Sequence, residues 1–393
     1  FIEGYRMPGE REKQKSVWIV WPYNKKDWPG LFHKIPQIIS KIVCNLSINQ
    51  TVNLIIRTSK DKLRIKQELK KFRNNLSNIK FHPILTNRIW IRDSGPIFLV
   101  NNKKGKKIIL NFLFNGWSKY NDYQKDNKIN DKIAKLTKIK KIEPTIIIKN
   151  NLKKIVLEGG AIDVNGRGSI LLTRECFLSK VQERNPGVNK LNLENTLSKY
   201  FNLKHFIWLN KGIKGDDTHG HIDDIARFVS PNTIMAAIEK NKKDRNFKNL
   251  KENFQILKKS TDTNGKKFKI IKIPMPKPIY INKVQVPASY LNFYIANKIV
   301  LLPIFNDKND KKVFYIFKKV KNYKKQKYIV IDCSEKLKSF SNYAKISEKI
   351  LNFNIDRKTK IVAIGGGTLG DLSGFIASTI LRGIDLILFP TTL

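Results

Sequence analysis

Cysteine and histidine are scarce in this chain, and long hydrophobic runs are missing. The three cysteines, Cys44, Cys176 and Cys333, include no CxxC pair, which excludes a disulfide scaffold or an all-cysteine metal site and fits a reducing compartment. No apolar run approaches the length of a membrane span, and no signal peptide is visible, so we expect a cytoplasmic protein. The chain starts at Phe1 and stops at Leu393, and both ends are candidates for truncation.

Acidic residues are greatly outnumbered by basic ones. The chain has 76 Lys and Arg against 32 Asp and Glu, which gives a net charge of +44. Such a charge raises nucleic acid or an anionic membrane as partners. The lysines, however, are scattered and alternate with Ile and Asn, which indicates compositional drift more than a basic patch. We therefore expect neither partner, and homo-oligomerisation is left open. The length predicts two domains or one large one.

Against this basic background, residues 215–228 (GDDTHGHIDDIARF) concentrate acid and imidazole side chains. Three interpretations compete. The histidines and aspartates could ligate a metal, act as acid/base groups on a cationic substrate, or form a polar loop with capped turns. Two of the five histidines lie here. The six Asp and His residues of this cluster are Asp216, Asp217, His219, His221, Asp223 and Asp224.

Two more acidic residues occur in patterned surroundings. Strand-like residues flank Asp93 in NRIWIRDSGPIFLV, which predicts a side chain at a strand end, although an Asx-turn before Gly-Pro would need no function. Glu158 precedes two glycines in LEGGAIDVNGRGSILLT, where we expect it to end the first strand of a hairpin and the glycines to admit close backbone approach. Trp117 is more typical of a core residue than of a ligand wall, and Cys176 of a packed thiol.

Short strands and helices recur along the chain without a long parallel βα series. Strands are predicted at residues 16–22, 51–58 and 327–333, and helices at residues 32–46 and 60–72. The pattern indicates an α/β fold of repeated ββα-type units.

With these motifs assembled, residues 1–333 resemble the agmatine deiminase family, among the peptidyl-arginine deiminase-like guanidine-modifying enzymes. The resemblance implies a pentein fold, which is a pseudo-fivefold α/β propeller around a central cleft. It also implies hydrolysis of agmatine to N-carbamoylputrescine and ammonia, a step of putrescine biosynthesis. The matching pieces, in the family's order, are GYRMPGE, VWIVWP, WIRDSGP, FNGW, LEGG, TREC, GDDTHGHIDDIARF, PASYLNFYIAN and PIFNDKND.

The resemblance also implies residue roles. Asp93 and Asp223 would grip the guanidinium, which stays charged at any working pH. His221 would protonate the departing ammonia and then activate water, while Glu158 would hold the substrate or orient His221. A cysteine thiolate would attack the guanidinium carbon and form an amidino-cysteine. No metal or organic cofactor is needed, which disfavours a metal at the histidines. Residues expected to line the substrate site are Trp90, Trp117 and Asp217.

The expected nucleophile is missing. The family places it in a GGG-x-x-H-C segment soon after the IDC strand, whereas VIDC here is followed by SEKLKSFSNY. Cys333 corresponds to the family's strand cysteine and is a poor substitute. Without a thiolate the carboxylates could still bind a guanidinium but would lack a covalent route, so we expect turnover to be impaired. A non-catalytic guanidinium-binding protein is therefore the alternative.

The C-terminal residues, 334–393, follow a different pattern from the rest of the chain. Residues 361–393 predict a strand, a Gly-rich loop, a helix and a strand, which would place backbone N–H groups near a pyrophosphate. From residue 334 onward the chain resembles 3-dehydroquinate synthase, which implies an incomplete Rossmann-like α/β segment that binds NAD, with Glu335 and Lys338 near the nucleotide. The family's later catalytic residues are absent, so synthase activity is not expected. Residues implied to contact NAD are Gly367, Thr368, Leu369, Gly370, Asp371, Thr391 and Thr392.

These resemblances assign residues 1–333 to a deiminase-like domain and residues 334–393 to a partial NAD-binding segment. The junction replaces the end of one fold with an interior piece of another, which indicates a fusion or chimera of two genes. On this hypothesis the last deiminase unit should be frayed and the tail should pack poorly. The function expected from the larger part is agmatine deiminase, and a 3-dehydroquinate synthase fragment is the alternative.

Overall fold

The computed structural model describes residues 4–320, 329, 331, 337–353, 355–357 and 359–390. Contacts between Cα atoms divide the chain into two compact units, Phe1–Val320 and Lys321–Leu393. The predicted strand at residues 327–333, with Cys333, lies almost wholly outside the described residues, and so does the predicted boundary between 333 and 334.

Strands of the first unit are short, from two to six residues. They are β1 (Ser16–Val20), β2 (Thr51–Ile56), β3 (Ile79–Pro83), β4 (Ile97–Asn101), β5 (Lys106–Leu110), β6 (Lys140–Ile142), β7 (Thr145–Ile148), β8 (Asn151–Lys154), β9 (Asp163–Val164), β10 (Ser169–Thr173), β11 (His205–Leu209), β12 (Ala226–Ser230), β13 (Thr233–Ile238), β14 (Lys269–Pro274), β15 (Ile279–Ile281), β16 (Val284–Val286), β17 (Tyr294–Ile295) and β18 (Val300–Leu301).

Helices of the first unit lie between these strands. They are α1 (Ile35–Leu46), α2 (Asp61–Lys70), α3 (Ile91–Ser94), α4 (Ile129–Thr137), α5 (Arg174–Leu178), α6 (Lys190–Phe201), α7 (Phe247–Lys259) and α8 (Asn309–Val320). The helices predicted at residues 32–46 and 60–72 are confirmed as α1 and α2. A proline in the first turn of α1, where no backbone N–H is required, starts that helix.

Three sheets of the first unit share one topology. In each, two strands pair antiparallel and a third strand, reached through a helix, pairs parallel to the second. These sheets are β4–β5–β6, β9–β10–β11 and β12–β13–β14. The pair β17–β18 is antiparallel and is followed by α8, whereas β1, β2 and β3 are all parallel. The predicted α/β fold with repeated strand–strand–helix units is therefore confirmed.

The buried apolar residues lie on and around these sheets. The central strand β2 is almost entirely buried, because parallel neighbours flank it on both edges and α1 and α2 pack beside it. Larger apolar clusters lie around β9–β11 and around β12–β14. These cores fix the ends of the strands, from which the polar side chains of the site extend.

The second unit has its own small core. Its elements are α9 (Phe340–Leu351), β19 (Lys360–Gly365), α10 (Gly367–Thr379) and β20 (Asp385–Pro390). The predicted strand, Gly-rich loop, helix and strand are confirmed, and β19 pairs parallel with β20. Its apolar side chains include several that are about half exposed on both strands, such as Val362, Ile364 and Leu388. Among the described residues of both units, no helix is long and apolar enough to cross a membrane.

Candidate active site

Three short helical turns meet at the centre of the acidic cluster. They are α3 and the 3₁₀ turns Gly159–Ala161 and Ile222–Asp224. Each turn lies directly before the first strand of one of the three sheets with shared topology, namely β4, β9 and β12. Equivalent positions of the repeated unit thus deliver polar side chains to one place.

Asp93, Glu158, His221 and Asp223 come together at these turns, and all four are at least nine-tenths buried. Nδ1 of His221 lies 3.8 Å from Oδ1 of Asp93 and 4.0 Å from Oδ1 of Asp223. Its Nε2 lies 3.6 Å from Oε2 of Glu158. The imidazole is therefore surrounded by three carboxyl groups.

Two predicted details of local structure were wrong. Asp93 was expected at the end of a strand, but it lies inside the one-turn helix α3. The last backbone hydrogen bond of this helix runs from the N–H of Gly95 to the carbonyl of Ile91 at 2.9 Å. Glu158 was expected to end a strand, but it is the N-cap residue of the turn Gly159–Ala161. In both cases the following proline or glycines interrupt the strand earlier than the apolar pattern suggests.

Electrostatics in this cluster favour bound cations. Burial alone would lower the pKa of His221, but Asp93, Glu158 and Asp223 together raise it to about 10. Burial raises the pKa of Asp93 to about 6. Burial opposes ionisation of Glu158 as well, yet Arg184 and His221 hold its pKa below the ordinary value. Near neutral pH a protonated imidazole is thus held among carboxylates, where another planar cation would also be stabilised.

Arg184 is a site residue that the sequence did not reveal. Its guanidinium is buried, and Nε donates to Oε1 of Glu158 at 3.0 Å. The other nitrogens donate to the carbonyls of Gln182 and Thr218. Arg184 fixes one oxygen of Glu158, while Oε2 of Glu158 and Nε2 of His221 have no hydrogen-bond partner among the described residues. No spacing in the sequence links Arg184 to Glu158.

Both oxygens of Asp93 are fixed by donors. The indole Nε1 of Trp117 donates to Oδ2 at 3.0 Å, and the backbone N–H of Gly160 donates to Oδ1 at 2.9 Å. Trp117 is buried, as a core residue would be, and it has a left-handed φ of 58°. Its position is that of a residue that orients Asp93.

Gly160 is required by close approach. A Cβ at this position would lie 2.6 Å from Nδ1 of His221, 2.7 Å from Oδ1 of Asp93 and 3.0 Å from Oδ2 of Asp223. The prediction that the glycines after Glu158 admit close backbone approach is confirmed, and the site leaves no space for any side chain here.

Behind Asp223 lies a chain of alternating charges, in which the Arg92 side chain is 43% exposed and those of Glu10, Arg227 and Asp163 are 9% exposed or less. Nε of Arg92 lies 4.0 Å from Oδ2 of Asp223, and Nη2 of Arg92 donates to Oε2 of Glu10 at 2.5 Å. The same carboxylate pairs with Nη2 of Arg227 at 2.9 Å, and Nε of Arg227 lies 3.4 Å from Oδ2 of Asp163. Four of these residues were not predicted as site residues, although Glu10 belongs to the GYRMPGE motif.

Asp217 and Trp90 lie outside the buried cluster. Asp217 accepts from the hydroxyl of Tyr120 at 2.6 Å and from Nζ of Lys119 at 3.4 Å, with its side chain half exposed. Trp90 is 41% exposed, and its ring centroid lies 5.7 Å from that of Trp28. Their role as substrate-lining residues stays a prediction.

Asp216 supports the interpretation of this segment as a capped polar turn. Its carboxylate accepts from the backbone N–H groups of Thr218 and Gly220 at 2.8 Å each and of His221 at 3.1 Å. The motif therefore combines a loop-forming aspartate with residues that reach the cluster.

Two of the cysteines are described, and both are buried. Burial raises the pKa of Cys44 to about 11 and that of Cys176 well above its ordinary value. Cys176 is the packed thiol that was predicted, with one ligand atom within 4.8 Å of Glu158 and His221. Neither thiol is a ready nucleophile.

In the second unit, the residues implied to contact NAD begin α10. Gly366 is the N-cap residue, and a Cβ on Gly367 would meet no atom within 4 Å. Asp371 pairs with Nζ of Lys338 at 3.0 Å. The remaining implied residues, Glu335, Thr391 and Thr392, lie outside the described residues.

The repeated sheets and the buried carboxylate–imidazole cluster define an α/β protein with an enzyme-type site for a cation. Residues 6–343 match the model of the Porphyromonas-type peptidyl-arginine deiminase family. The chain belongs to this family, which includes the agmatine deiminases and whose members hydrolyse C–N bonds. Residues 328–393 match the model of the 3-dehydroquinate synthase N-terminal family.

Individual relatives and solved structures support the same family membership. A protein of Latilactobacillus sakei that carries the name agmatine deiminase is 31% identical over 372 residues, which cover 88% of this chain and 96% of that protein. A substrate-bound agmatine deiminase structure from C. jejuni is 32% identical, with a TM-score of 0.69 over 81% of this chain and 89% of that one. The agmatine deiminase structure of Enterococcus faecalis is 26% identical, with a TM-score of 0.71 over 81% and 88%.

Proposed function

We propose that the buried cluster binds the guanidinium of agmatine and is built to hydrolyse it to N-carbamoylputrescine and ammonia. The observation that carries this proposal is the placement of Asp93 and Asp223 on the same side of His221, 3.8 and 4.0 Å from its Nδ1. Two carboxylates so placed can accept the N–H groups of a planar cation in pairs, which both binds and orients it. The family membership supports the same substrate class.

The remaining side chains have roles that follow from their contacts. His221, buried and next to three carboxylates, would give a proton to departing ammonia and then take one from the attacking water. Glu158, with one oxygen held by Arg184 and the other facing His221, would orient that imidazole and contact the substrate. Trp117 and Gly160 would keep Asp93 turned towards the guanidinium.

The covalent step of this reaction lacks its expected nucleophile in this chain. It requires a thiolate that attacks the guanidinium carbon, so that a C–S bond forms as the C–N bond to ammonia breaks. Cys44 and Cys176 are buried with raised pKa values, and no GGG-x-x-H-C segment follows Cys333. We therefore propose that the chain binds agmatine and turns it over poorly, as a guanidinium-binding protein would.

The finer architecture is also part of this proposal. The three sheets of shared topology, the β17–β18 pair with α8, and β1–β3 would be the five units of a pentein propeller. The deiminase part would need no metal or organic cofactor, would work in the cytoplasm, and would present its basic surface to solvent without a nucleic-acid partner.

For the tail, the match to the 3-dehydroquinate synthase N-terminal family supports NAD as a ligand. Gly367, Thr368, Leu369, Gly370 and Asp371 form the first turn and a half of α10, where N–H groups could face a pyrophosphate. The open space at Gly367 fits that group. The tail would supply nucleotide contacts through a Rossmann-like α/β segment.

The test is release of ammonia and N-carbamoylputrescine from agmatine by the purified chain. We expect product formation at or near the background rate, together with saturable agmatine binding in a separate titration. Turnover at a rate typical of enzymes, about 1–10³ s⁻¹, would contradict the proposed loss of the nucleophile.

Two variants identify the source of any turnover. If Cys333→Ala abolishes product formation, then Cys333 supplies the thiolate and the proposed consequence of the junction is wrong. If Cys176→Ala abolishes it without unfolding the chain, then the buried thiol has that role instead. Cys44→Ala is the matched control, because Cys44 lies in the α1–α2 core and contacts none of the site residues described above.

A further inference from the structure

One group of side chains at the site combines three metal-ligand atoms, two of which have no hydrogen-bond partner among the described residues. Glu158, Cys176 and His221 each offer one ligand atom within 4.8 Å of the other two, and all three residues are buried. Oε2 of Glu158 and Nε2 of His221 have no hydrogen-bond partner among the described residues, although they face each other at 3.6 Å. Buried polar atoms are rarely left without a partner, so such a pair needs an explanation.

We propose that Glu158, Cys176 and His221 form a site for a thiophilic divalent cation such as Zn²⁺, which takes up the unpaired oxygen of Glu158 and the imidazole of His221 and so competes with a guanidinium substrate for these two groups. One sulfur, one imidazole nitrogen and one carboxylate oxygen are the mixed donor set that Zn²⁺ accepts in tetrahedral sites. Three protein ligands leave a fourth position for water. The cation is an inhibitor here and has no part in the hydrolysis.

The surroundings orient these ligands. Arg184 donates to Oε1 of Glu158 at 3.0 Å, which leaves Oε2 directed at Nε2 of His221. On the other side of the ring, Nδ1 of His221 lies 3.8 Å from Oδ1 of Asp93, and a carboxylate on that side of the ring is usual for a metal-bound imidazole. The hydroxyl of Thr173 accepts from the backbone N–H of Cys176 at 3.0 Å and fixes the start of α5.

Charge balance is consistent with one divalent cation. Glu158 and a Cys176 thiolate supply two negative charges, and Asp93 and Asp223 add more beyond the imidazole. Arg184 offsets one of them, so the affinity should be moderate for a zinc site. Metal binding would displace the protons of the thiol and of His221, because a coordinating thiol is deprotonated outright and an imidazole must be neutral to bind. Binding should therefore weaken as the pH falls.

The experiment uses Co²⁺ as a spectroscopic probe, added to the purified chain without substrate. We expect one Co²⁺ per chain, with the near-ultraviolet band of thiolate-to-cobalt charge transfer and the visible bands of tetrahedral cobalt, and displacement of both by Zn²⁺. Agmatine should compete with Co²⁺ if both use the same cleft.

The variants decide which residues bind the cation. Cys176→Ser should remove the charge-transfer band, and Glu158→Gln, which keeps the shape of the side chain, should weaken Co²⁺ binding at least 10-fold. Cys44→Ser and Cys333→Ser should leave the spectrum unchanged. Circular dichroism checks that each variant is folded. If Cys176→Ser does not fold, Glu158→Gln is the variant that decides.

The proposal is overturned if folded wild-type chain shows no thiolate-to-cobalt band. It is also overturned if the band persists in Cys176→Ser or disappears in Cys333→Ser. Because Co²⁺ binding is measured without agmatine, failure here is separable from failure of the proposed guanidine function. Co²⁺ binding that agmatine does not weaken, in a chain that binds agmatine when Co²⁺ is absent, would contradict the shared use of Glu158 and His221.

Discussion

At the scale of single residues, the cluster depends on side chains that serve one another before they serve a substrate. Asp93 receives hydrogen bonds from Trp117 and Gly160, and Glu158 from Arg184. Asp93 thus has two orienting partners and Glu158 one, and each carboxylate keeps an oxygen within 4 Å of a ring nitrogen of His221. Such supporting contacts keep a site within the narrow geometry that a planar cation requires.

Gly160→Ala should weaken agmatine binding while the chain stays folded. The new methyl group would lie under 3 Å from His221 and Asp93, so one of them must move away from the guanidinium. We expect affinity to fall at least 10-fold, which corresponds to about 1.4 kcal/mol. Calorimetric titration with agmatine measures this.

Gly367→Ala is the matched control for that substitution. A Cβ at Gly367 meets nothing within 4 Å, and the residue starts α10, where alanine is the better helix former by about 1 kcal/mol. Agmatine binding should therefore be unchanged in this variant. Equal binding by Gly160→Ala and by wild type would show that the cluster is not where agmatine binds.

Asp126 is buried and should produce a pH dependence of stability. Burial raises its pKa to about 7, although it accepts from the backbone N–H groups of Asn87 at 2.6 Å and Arg88 at 3.3 Å. The folded state then holds a proton that the unfolded state releases near pH 4. Its contribution to the free energy of unfolding is therefore full at low pH and falls as the pH rises from about 4 to about 7.

Asp126→Asn tests that sign. The difference in free energy of unfolding between the variant and wild type, from urea titrations, should shift in favour of the variant as the pH rises from 4 to 8. The difference isolates Asp126 from other carboxyl groups with raised pKa values. A difference that stays constant with pH, or shifts towards wild type, would contradict the assignment.

At the scale of elements, the site is made by repetition. Three turns that precede β4, β9 and β12 supply its residues, and a segment near the N-terminus ties them together. Glu10 in that segment bonds to Arg92, pairs with Arg227 and accepts from the backbone N–H of Ile295 at 2.8 Å. Three distant parts of the chain are thereby joined through one buried carboxylate.

Glu10→Gln should destabilise the first unit, because it removes the carboxylate that pairs with the buried Arg227 at 2.9 Å and leaves that guanidinium with Asp163, at 3.4 Å, as its remaining acidic partner among the described residues. Breaking a buried ion pair by removing one partner costs roughly 3–5 kcal/mol. Agmatine affinity should fall as well, since Arg92 also lies beside Asp223. Urea unfolding measures the first effect, and calorimetry on the folded fraction measures the second.

Glu12→Gln is the comparison within the same segment. Glu12 pairs with Arg6 at 2.7 Å, but the two side chains are 31% and 28% exposed. Exposed pairs contribute about 0–1 kcal/mol, so this variant should stay close to wild type in stability and binding. Similar losses in both variants would mean that Glu10 has no special part in joining the elements.

The sequence predicted the elements better than the supporting contacts. Strands β1 and β2, helices α1 and α2 and the tail elements follow from apolar spacing, and the motifs identified Asp93, Glu158, His221 and Asp223. Arg184 and Arg227 were missed, because their partners are 26 and 64 or more residues away and a buried arginine leaves no local pattern. The turns at Asp93 and Glu158 were missed because proline and glycine override the strand pattern over a few residues.

At the scale of the whole molecule, charge is the dominant property. A net charge of +44 on 393 residues repels itself, and surface ion pairs such as that between Lys71 and Glu68 do not change this net charge. Self-repulsion destabilises compact states, and salt screens it over a Debye length of about 10 Å at 0.1 M.

Added salt should therefore stabilise the chain. The midpoint of thermal unfolding should rise as NaCl is increased from about 10 mM to about 150 mM, a range in which the Debye length falls from about 30 Å to about 8 Å. Scanning calorimetry measures this, with the same ionic strength of Na₂SO₄ as a check for specific anion binding. A midpoint that falls with salt would mean that attractive pairs outweigh the repulsion.

The most direct test of the central claim is calorimetric titration of the purified chain with agmatine and, separately, with putrescine, which keeps the amine but lacks the guanidinium. If Asp93 and Asp223 grip a guanidinium, agmatine should bind one to one, putrescine should bind at least 10-fold more weakly, and Asp93→Asn should reduce agmatine binding to the level of putrescine. Equal affinity for the two ligands, or full agmatine affinity in Asp93→Asn, would contradict the account.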